Sequence, residues 1–391
     1  MNNEFFFGTS TAAAQIETAH AHQWKNVIST DGSIFNKTIE HEKNQDTDIE
    51  LIAMTSEVYR LSLDWSKLQS LPLANFDEAT VNHYTYFLEK LVNRNIKIML
   101  VCHHFAEPLW FGEAGGWQSK KTLPFFLNYV TQLIHYFSKY TTYWNTINEP
   151  NVYALNSYLL GEFPPFQRSI FATWRVIHNL TKAHTLAYKL IKQKLPTQSV
   201  GLSYNTVVFE GQTLAGKFPA AIADLLFNRW IASKFCNVGD FCGISYYAKI
   251  RFDPYPITEI KNPGKLLSMR LPHDKMWEYY PCGLTTVILD FYNRYQKPII
   301  ITESGICTDN DPDRIRAIDD YLEAIKSAQT KGAEVKGYIH WSTFDNHEWN
   351  IGTSYRFGLV HIDFETMQRT PKPSAYYFQT LIHTKNKSVA L

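Results

Sequence analysis

Eight short apolar runs, spread along nearly the whole chain, constrain its fold more than any other feature. They cover residues 4–11, 57–65, 96–105, 142–150, 199–208, 240–248, 297–305 and 335–345. Runs of this length that stay apolar on both alternating faces belong to strands covered on both sides, as in a parallel sheet. Several are separated by segments of helical periodicity. Leu123 to Tyr140 places Phe126, Tyr129, Val130, Leu133, Ile134 and Phe137 on one stripe. At Asp311-Pro312-Asp313-Arg314 a capping aspartate precedes a proline at the first helical position. Ile315, Ile318, Leu322 and Ile325 then form the buried face, and Gly332 ends the helix near Lys326 and Lys331. The least regular stretch, 209–239, reads as helix or loop bridging the fifth and sixth strands.

Strand and helix alternate without a low-complexity linker or a break in composition, which predicts one α/β domain over residues 1–391. Eight parallel strands close most economically into a (β/α)8 TIM barrel, whose active site lies at the C-terminal strand ends. A doubly wound open sheet is the alternative, but neither a GxGxxG nor a P-loop sequence supports it.

With 38 basic and 37 acidic residues the net charge is +1, so charge offers no reason to expect nucleic acid or an anionic membrane as partner. No apolar stretch reaches the roughly 18–20 residues that span a bilayer. The N-terminus, Met1-Asn2-Asn3-Glu4, lacks the basic region of a signal peptide. The five cysteines, Cys102, Cys236, Cys242, Cys282 and Cys307, are scattered without CxxC spacing and read as reduced buried thiols. A soluble, cytoplasmic protein is expected; its oligomeric state is not encoded in any pattern found.

Two of the runs end in a carboxylate. Glu149 closes Thr146-Ile147-Asn148-Glu149-Pro150, and Glu303 follows three isoleucines and Thr302. Two carboxylates converging from different strand tips can break a glycosidic bond, one as acid/base and one as nucleophile. Pro150 biases the residue before it toward extended geometry, which would aim Glu149 into the barrel mouth. Arg60, inside Val58-Tyr59-Arg60-Leu61-Ser62, is a natural counter-ion that would hold Glu303 ionised. A purely structural Arg–Glu tie between strands would need the same geometry. Asn148, Gln15, His104 and Glu348 offer polar forks for sugar hydroxyls, and Trp341 and Trp349 flat faces for ring C–H groups. His103 faces away from His104 and reads as structural, so the two cannot chelate one ion. HExxH and GxSxG motifs are absent, and no metal or organic cofactor is expected.

Residues in nine ordered blocks, among them Phe6-Phe7-Gly8-Thr9-Ser10, Tyr59-Arg60-Leu61, Gly243-Ile244-Ser245-Tyr246-Tyr247, Trp277-Glu278-Tyr279-Tyr280-Pro281 and Trp341-Ser342-Thr343-Phe344, resemble the family 1 glycoside hydrolases, the β-glucosidase family. The resemblance spans nearly the whole chain. It implies a retaining β-glycosidase with Glu149 as acid/base and Glu303 as nucleophile, their carboxyls about 5–5.5 Å apart. It also implies that Gln15, His104, Asn148, Glu348 and Trp349 hold the glycone over a Trp341 platform. Tyr247 would hydrogen-bond the nucleophile, with Arg60 as its charge partner. The substrate would be a small glycoside with a terminal β-glucosyl or related galactosyl or fucosyl residue. An anionic Glu348 would disfavour a 6-phosphate. Transglycosylation, and a sugar-binding barrel without turnover, are the alternatives. Ser245 and Ser304 stand where the family usually carries Asn, His347 where Phe is common, and Ala106-Glu107 in place of Asp-Leu. Loops near 40–48 and 209–239 look trimmed, which predicts a shallow, wet mouth with weak leaving-group selectivity.

Overall fold

The computed structural model describes residues 5–252 and 274–388. The eight runs form β1 (Phe6–Thr11), β2 (Val58–Ser62), β3 (Lys97–Val101), β4 (Thr141–Asn148), β5 (Ser199–Glu210), β6 (Cys242–Arg251), β7 (Ile299–Ser304) and β8 (Val335–Trp341). All are parallel, each pairs with its sequence neighbour, and β8 returns to β1 to close the barrel. The expected closure is therefore the observed one.

Boundaries shift where closure ends. β2, β3 and β8 stop three or four residues short of the expected 65, 105 and 345, because there the chain leaves the ladder for the loops above the rim. β5 and β6 instead run beyond 208 and 248. Past a register shift at Thr206/Val207 they stay paired through Glu210–Arg251, a two-strand ribbon that outlasts its neighbours.

The barrel interior begins with an apolar plug of Phe6, Val58, Met99, Phe241, Ile300 and Ile339. Gly337 makes room for it, since a Cβ there would sit 2.4 Å from the Phe6 ring. The opposite strand faces, such as Ile98, Leu100, Ile299 and Ile301, pack in the larger core that includes the surrounding helices. In the helix Leu123–Phe137 all six predicted stripe residues are buried. The C-terminal helix Pro373–Ser388 covers β1 and β8, its Phe378 ring lying 5.8 Å from Phe7 and 6.2 Å from Tyr338.

Three local expectations are corrected. The helix Asp311–Thr330 has Asn310, not Asp311, at its cap position, and the Asp311 carboxylate instead accepts the Ser374 backbone N–H at 2.7 Å. Its buried face is Arg314, Ala317, Ile318, Tyr321, Ala324, Ile325 and Ala328, leaving Ile315 and Leu322 half-buried. Arg314 sets that rotation by donating inward to the carbonyls of Thr308 and Arg356 at 2.6 and 3.0 Å. All five cysteines are free, but Cys282 is exposed, because it opens the helix Cys282–Tyr295 at the surface. The stretch 209–239 is largely helical, as Leu214–Asp224, a π-helical Leu225–Ile231 and Ala232–Cys236. Among the described residues no helix is long and apolar enough to cross a membrane.

Candidate active site

Strand register brings polar residues to one level above the plug. Ser10 pairs with both Arg60 and Trp341, Asn148 with Ser203, and Ser245 with Glu303. Arg60 is completely buried at the centre of this level. Its Nη1 donates to Glu303 Oε1 at 2.6 Å and to Ser10 Oγ at 3.0 Å. Its Nη2 donates to Asn148 Oδ1 at 2.5 Å and to Ser203 Oγ at 3.1 Å. One guanidinium thus ties five strands, β1, β2, β4, β5 and β7, and breaking such a buried pair costs about 3–5 kcal/mol.

Glu149 does not adopt the extended geometry expected before a proline. Its φ and ψ are 38° and 60°, in the left-handed region. Here the backbone must leave a strand and start a helix within one residue. The Glu149 N–H donates to the Ser203 carbonyl at 2.9 Å, and its carbonyl accepts the Tyr153 N–H at 3.0 Å. Satisfying both outweighs a local cost on the order of 1 kcal/mol.

The two carboxyls are buried in different company. Glu149 Oε1 accepts from Asn205 Nδ2 at 3.0 Å. Burial first, and then the negative charge of Glu303, push the Glu149 carboxyl up to about 8. Glu303 accepts from Tyr247 Oη at 2.9 Å as well as from Arg60. Burial also raises its pKa, and the Arg60 charge and Tyr247 hydroxyl oppose that rise. Arg60 alone therefore does not hold Glu303 at an ordinary carboxylate value. The asymmetry still stands, because the proton of the pair is favoured on Glu149, which among the described residues has no cation bonded to it and feels Arg60 only weakly.

The other predicted residues gather on the β1, β3 and β8 side. Glu348 accepts from Trp341 Nε1 at 2.8 Å and from Gln15 Nε2 at 3.1 Å. Burial lifts its carboxyl to about 7, so its repulsion of a phosphate is weaker than a full negative charge would give. His104 Nε2 lies 3.9 Å from Glu303 Oε1, and burial and the Arg60 charge hold the ring neutral. The Trp349 ring rests against Trp24 and Phe105, with centroids 5.0 and 5.2 Å away. Asn148 Nδ2, His104 Nδ1 and Gln15 Oε1 have no hydrogen-bond partner among the described residues.

A cavity of about 410 Å³ is bordered by His104, Asn148, Glu149, Tyr247, Glu303, Trp341, Glu348 and Trp349. Gln15 and Arg60 stand behind this wall and act on it through Glu348 and Glu303. His103 bonds to Glu107 at 3.1 Å and does not border the cavity. Sequence reasoning missed Ser10, Ser203 and Asn205. The signal for the last two was present in β5, where Ser203 and Asn205 alternate with Leu202 and Tyr204 at the end of an apolar run. It also missed the apolar wall formed by Val152, Leu155, Val207, Phe227 and Ile250, which sequence separation hides.

A closed (β/α)8 barrel with buried carboxyls at two strand tips, facing one sugar-sized cavity, defines a glycosidase-type enzyme. The family model described as "Glycosyl hydrolase family 1" matches residues 1–244 and 232–387, so the chain belongs to glycosyl hydrolase family 1 and is a glycoside hydrolase. It is similar to Beta-glucosidase A of Thermotoga maritima, 25% identical over 97% of this chain and 96% of the relative. It is also similar to a Beta-galactosidase of Sulfolobus acidocaldarius, 30% identical over 83% and 74%. Among solved structures, a beta-glycosidase from Pyrococcus horikoshii superposes with a TM-score of 0.86 at 29% identity, over 97% of this chain and 94% of that one. The Thermotoga maritima Beta-glucosidase in complex with castanospermine gives 0.88 at 23% identity, over 98% of each chain.

Proposed function

We propose that this chain is a retaining β-glycosidase that removes a terminal β-glucosyl, or related galactosyl or fucosyl, residue from small glycosides. The observation that carries the reading is the pairing of a carboxyl raised to about 8 at Glu149 with a hydrogen-bonded, arginine-paired carboxyl at Glu303. Near neutral pH Glu149 holds the proton that the leaving oxygen needs. Glu303 attacks the anomeric carbon and forms a glycosyl ester as the C–O bond breaks and Glu149 gives up that proton. Water then enters, Glu149 takes its proton, and the hydroxide oxygen displaces Glu303 from the anomeric carbon, restoring both carboxyls. The carboxyl separation expected for this chemistry is about 5–5.5 Å.

Asn148 Nδ2 and His104 are free to bond sugar hydroxyls, while Gln15 orients Glu348 and leaves its own Oε1 unpaired. Trp341 and Trp349 offer faces to the ring. Among the described residues no lysine or arginine borders the cavity, which favours a glycone without phosphate. The free cysteines support a reducing, cytoplasm-like compartment. A second reading, transfer to an alcohol acceptor, is supported by similarity to a protein named "Galactolipid galactosyltransferase SFR2, chloroplastic" in Arabidopsis thaliana, 28% identical over 85% of this chain and 57% of that protein.

The test is the anomer released first from a nitrophenyl β-glycoside, followed by NMR, together with Glu303→Gly. Retention is expected, with activity lost by a factor on the order of 10⁴ and an α-glycosyl azide formed when azide is added. An inverted first product, or a variant as active as the parent, would end this reading. Product analysis with an added alcohol separates transfer from hydrolysis.

A further inference from the structure

The acid/base carboxyl faces the leaving group, so the elements that carry and touch Glu149 must border the aglycone. Those elements are the chain after β4, and β5, which supplies Asn205; the Leu225–Ile231 segment, bonded to Val207 of β5 through Asn228, and the end of β6, paired with β5, extend the same side. Their cavity-facing residues include Val152, Leu155, Leu160, Val207, Phe227 and Ile250. Polar groups on this side are few and mostly committed. Asn205 donates to Glu149, and the Thr206 hydroxyl donates to the Ser245 carbonyl at 3.1 Å. Asn156 and an exposed Glu162 are the exceptions. A second sugar placed there would set its hydroxyls against hydrocarbon, at a desolvation cost with little return.

The apolar surface does not stop at the rim. Leu160 and Ile250 border the cavity and are also 47% and 40% exposed. Close to lining residues in the chain, Leu159, Leu225 and Leu226 are 37%, 56% and 44% exposed. Exposed large aliphatic residues continuous with a catalytic cavity mark a binding surface more often than an accident of folding.

We propose that the aglycone of this enzyme is a hydrocarbon chain, making its substrates amphiphilic β-glycosides with a polar glycone and a long alkyl or acyl tail. The inference rests on the glycosidase reading and specifies its leaving-group side. The tail leaves the catalytic pair between Val207 and Leu155, passes Phe227, and reaches solvent over Leu160 and Ile250. The weak leaving-group selectivity expected from trimmed loops is replaced by selectivity for chain length.

The experiment measures kcat/KM for methyl, hexyl and octyl β-glycosides and for cellobiose. It uses the purified full chain below the critical micelle concentration, in the glycone configuration that a nitrophenyl panel selects. Each buried methylene should contribute about fourfold, so hexyl, with five more, should exceed methyl by a factor of up to about 10³. Octyl should exceed cellobiose. The variants Leu160→Asn and Ile250→Asn, at partly exposed positions, should lower the octyl-to-methyl ratio about tenfold while leaving the thermal midpoint within a few degrees of the parent's. A flat alkyl series, cellobiose preferred over octyl, or an unchanged ratio in both variants overturns the inference while leaving the glycosidase reading intact. Absence of turnover on every alkyl and nitrophenyl glycoside overturns both.

Discussion

Two levels of the barrel interior lie within a few residues of each other on the same strands and follow different rules. Val58 and Arg60 are two positions apart on β2, as are Ile339 and Trp341 on β8. The lower level is a hydrocarbon plug in which Val58, Met99, Ile300 and Ile339 need only fill space. On the upper level Arg60 is held by Ser10, Asn148, Ser203 and Glu303, while Gln15 and Trp341 hold Glu348 and Tyr247 holds Glu303. The plug draws its stability from burial that any well-fitting apolar side chain supplies. The polar level sits on that plug, and its worth depends on the identity of each partner, because a buried group without one is costly.

The sharpest way to separate the levels is Glu149→Gln, which keeps size and burial but removes the transferable proton. On alkyl glycosides kcat/KM should fall about 10³-fold. On a dinitrophenyl glycoside, whose leaving group needs no proton, the first step should fall much less. Equal losses on both substrates would remove Glu149 from its role.

Next comes the lower level. Ile339→Ala should cost about 3 kcal/mol in denaturant-induced unfolding, with kcat/KM changed by less than about twofold. A loss of turnover larger than the loss of stability would show that the plug is not merely a support. The converse variant is Tyr247→Phe, which removes one hydrogen bond to Glu303. It should reduce kcat/KM about tenfold and move stability by only about 1 kcal/mol. Burial opposes ionisation of Glu303, so loss of the Tyr247 hydroxyl should also push the acid limb of the pH profile upward.

The last prediction concerns stability against pH. The folded-state pKa of Glu149 is raised to about 8, so its bound proton stabilises the fold fully below the ordinary carboxylate range. That contribution is lost as pH rises toward the folded value. The thermal midpoint should therefore drop between roughly pH 5 and pH 9, and drop less in Glu149→Gln. The same proton predicts an alkaline fall in kcat/KM near pH 8, absent from the variant.

The strands were legible because apolar runs buried on both faces are a local property of the chain, and the count of eight pointed to closure. Glu149 and Glu303 were legible because a charge at the end of such a run is costly to bury unless it is paired or put to chemical use. The rotation of the helix Asp311–Thr330 was not, since it answers to carbonyls at Thr308 and Arg356 that periodicity does not register. Ser203 and Asn205 carried a weak signal in their alternation, while Ser10 became meaningful only opposite Arg60.

The sequence by itself determined the strand–helix order and the chemical identity of the catalytic candidates, since each depends on residues close together in the chain. Tertiary structure alone decided which carboxyl keeps the proton, the left-handed turn at Glu149 and the hydrocarbon wall beside it. Those properties arise from burial and charge summed over elements that only barrel closure brings within reach of one another.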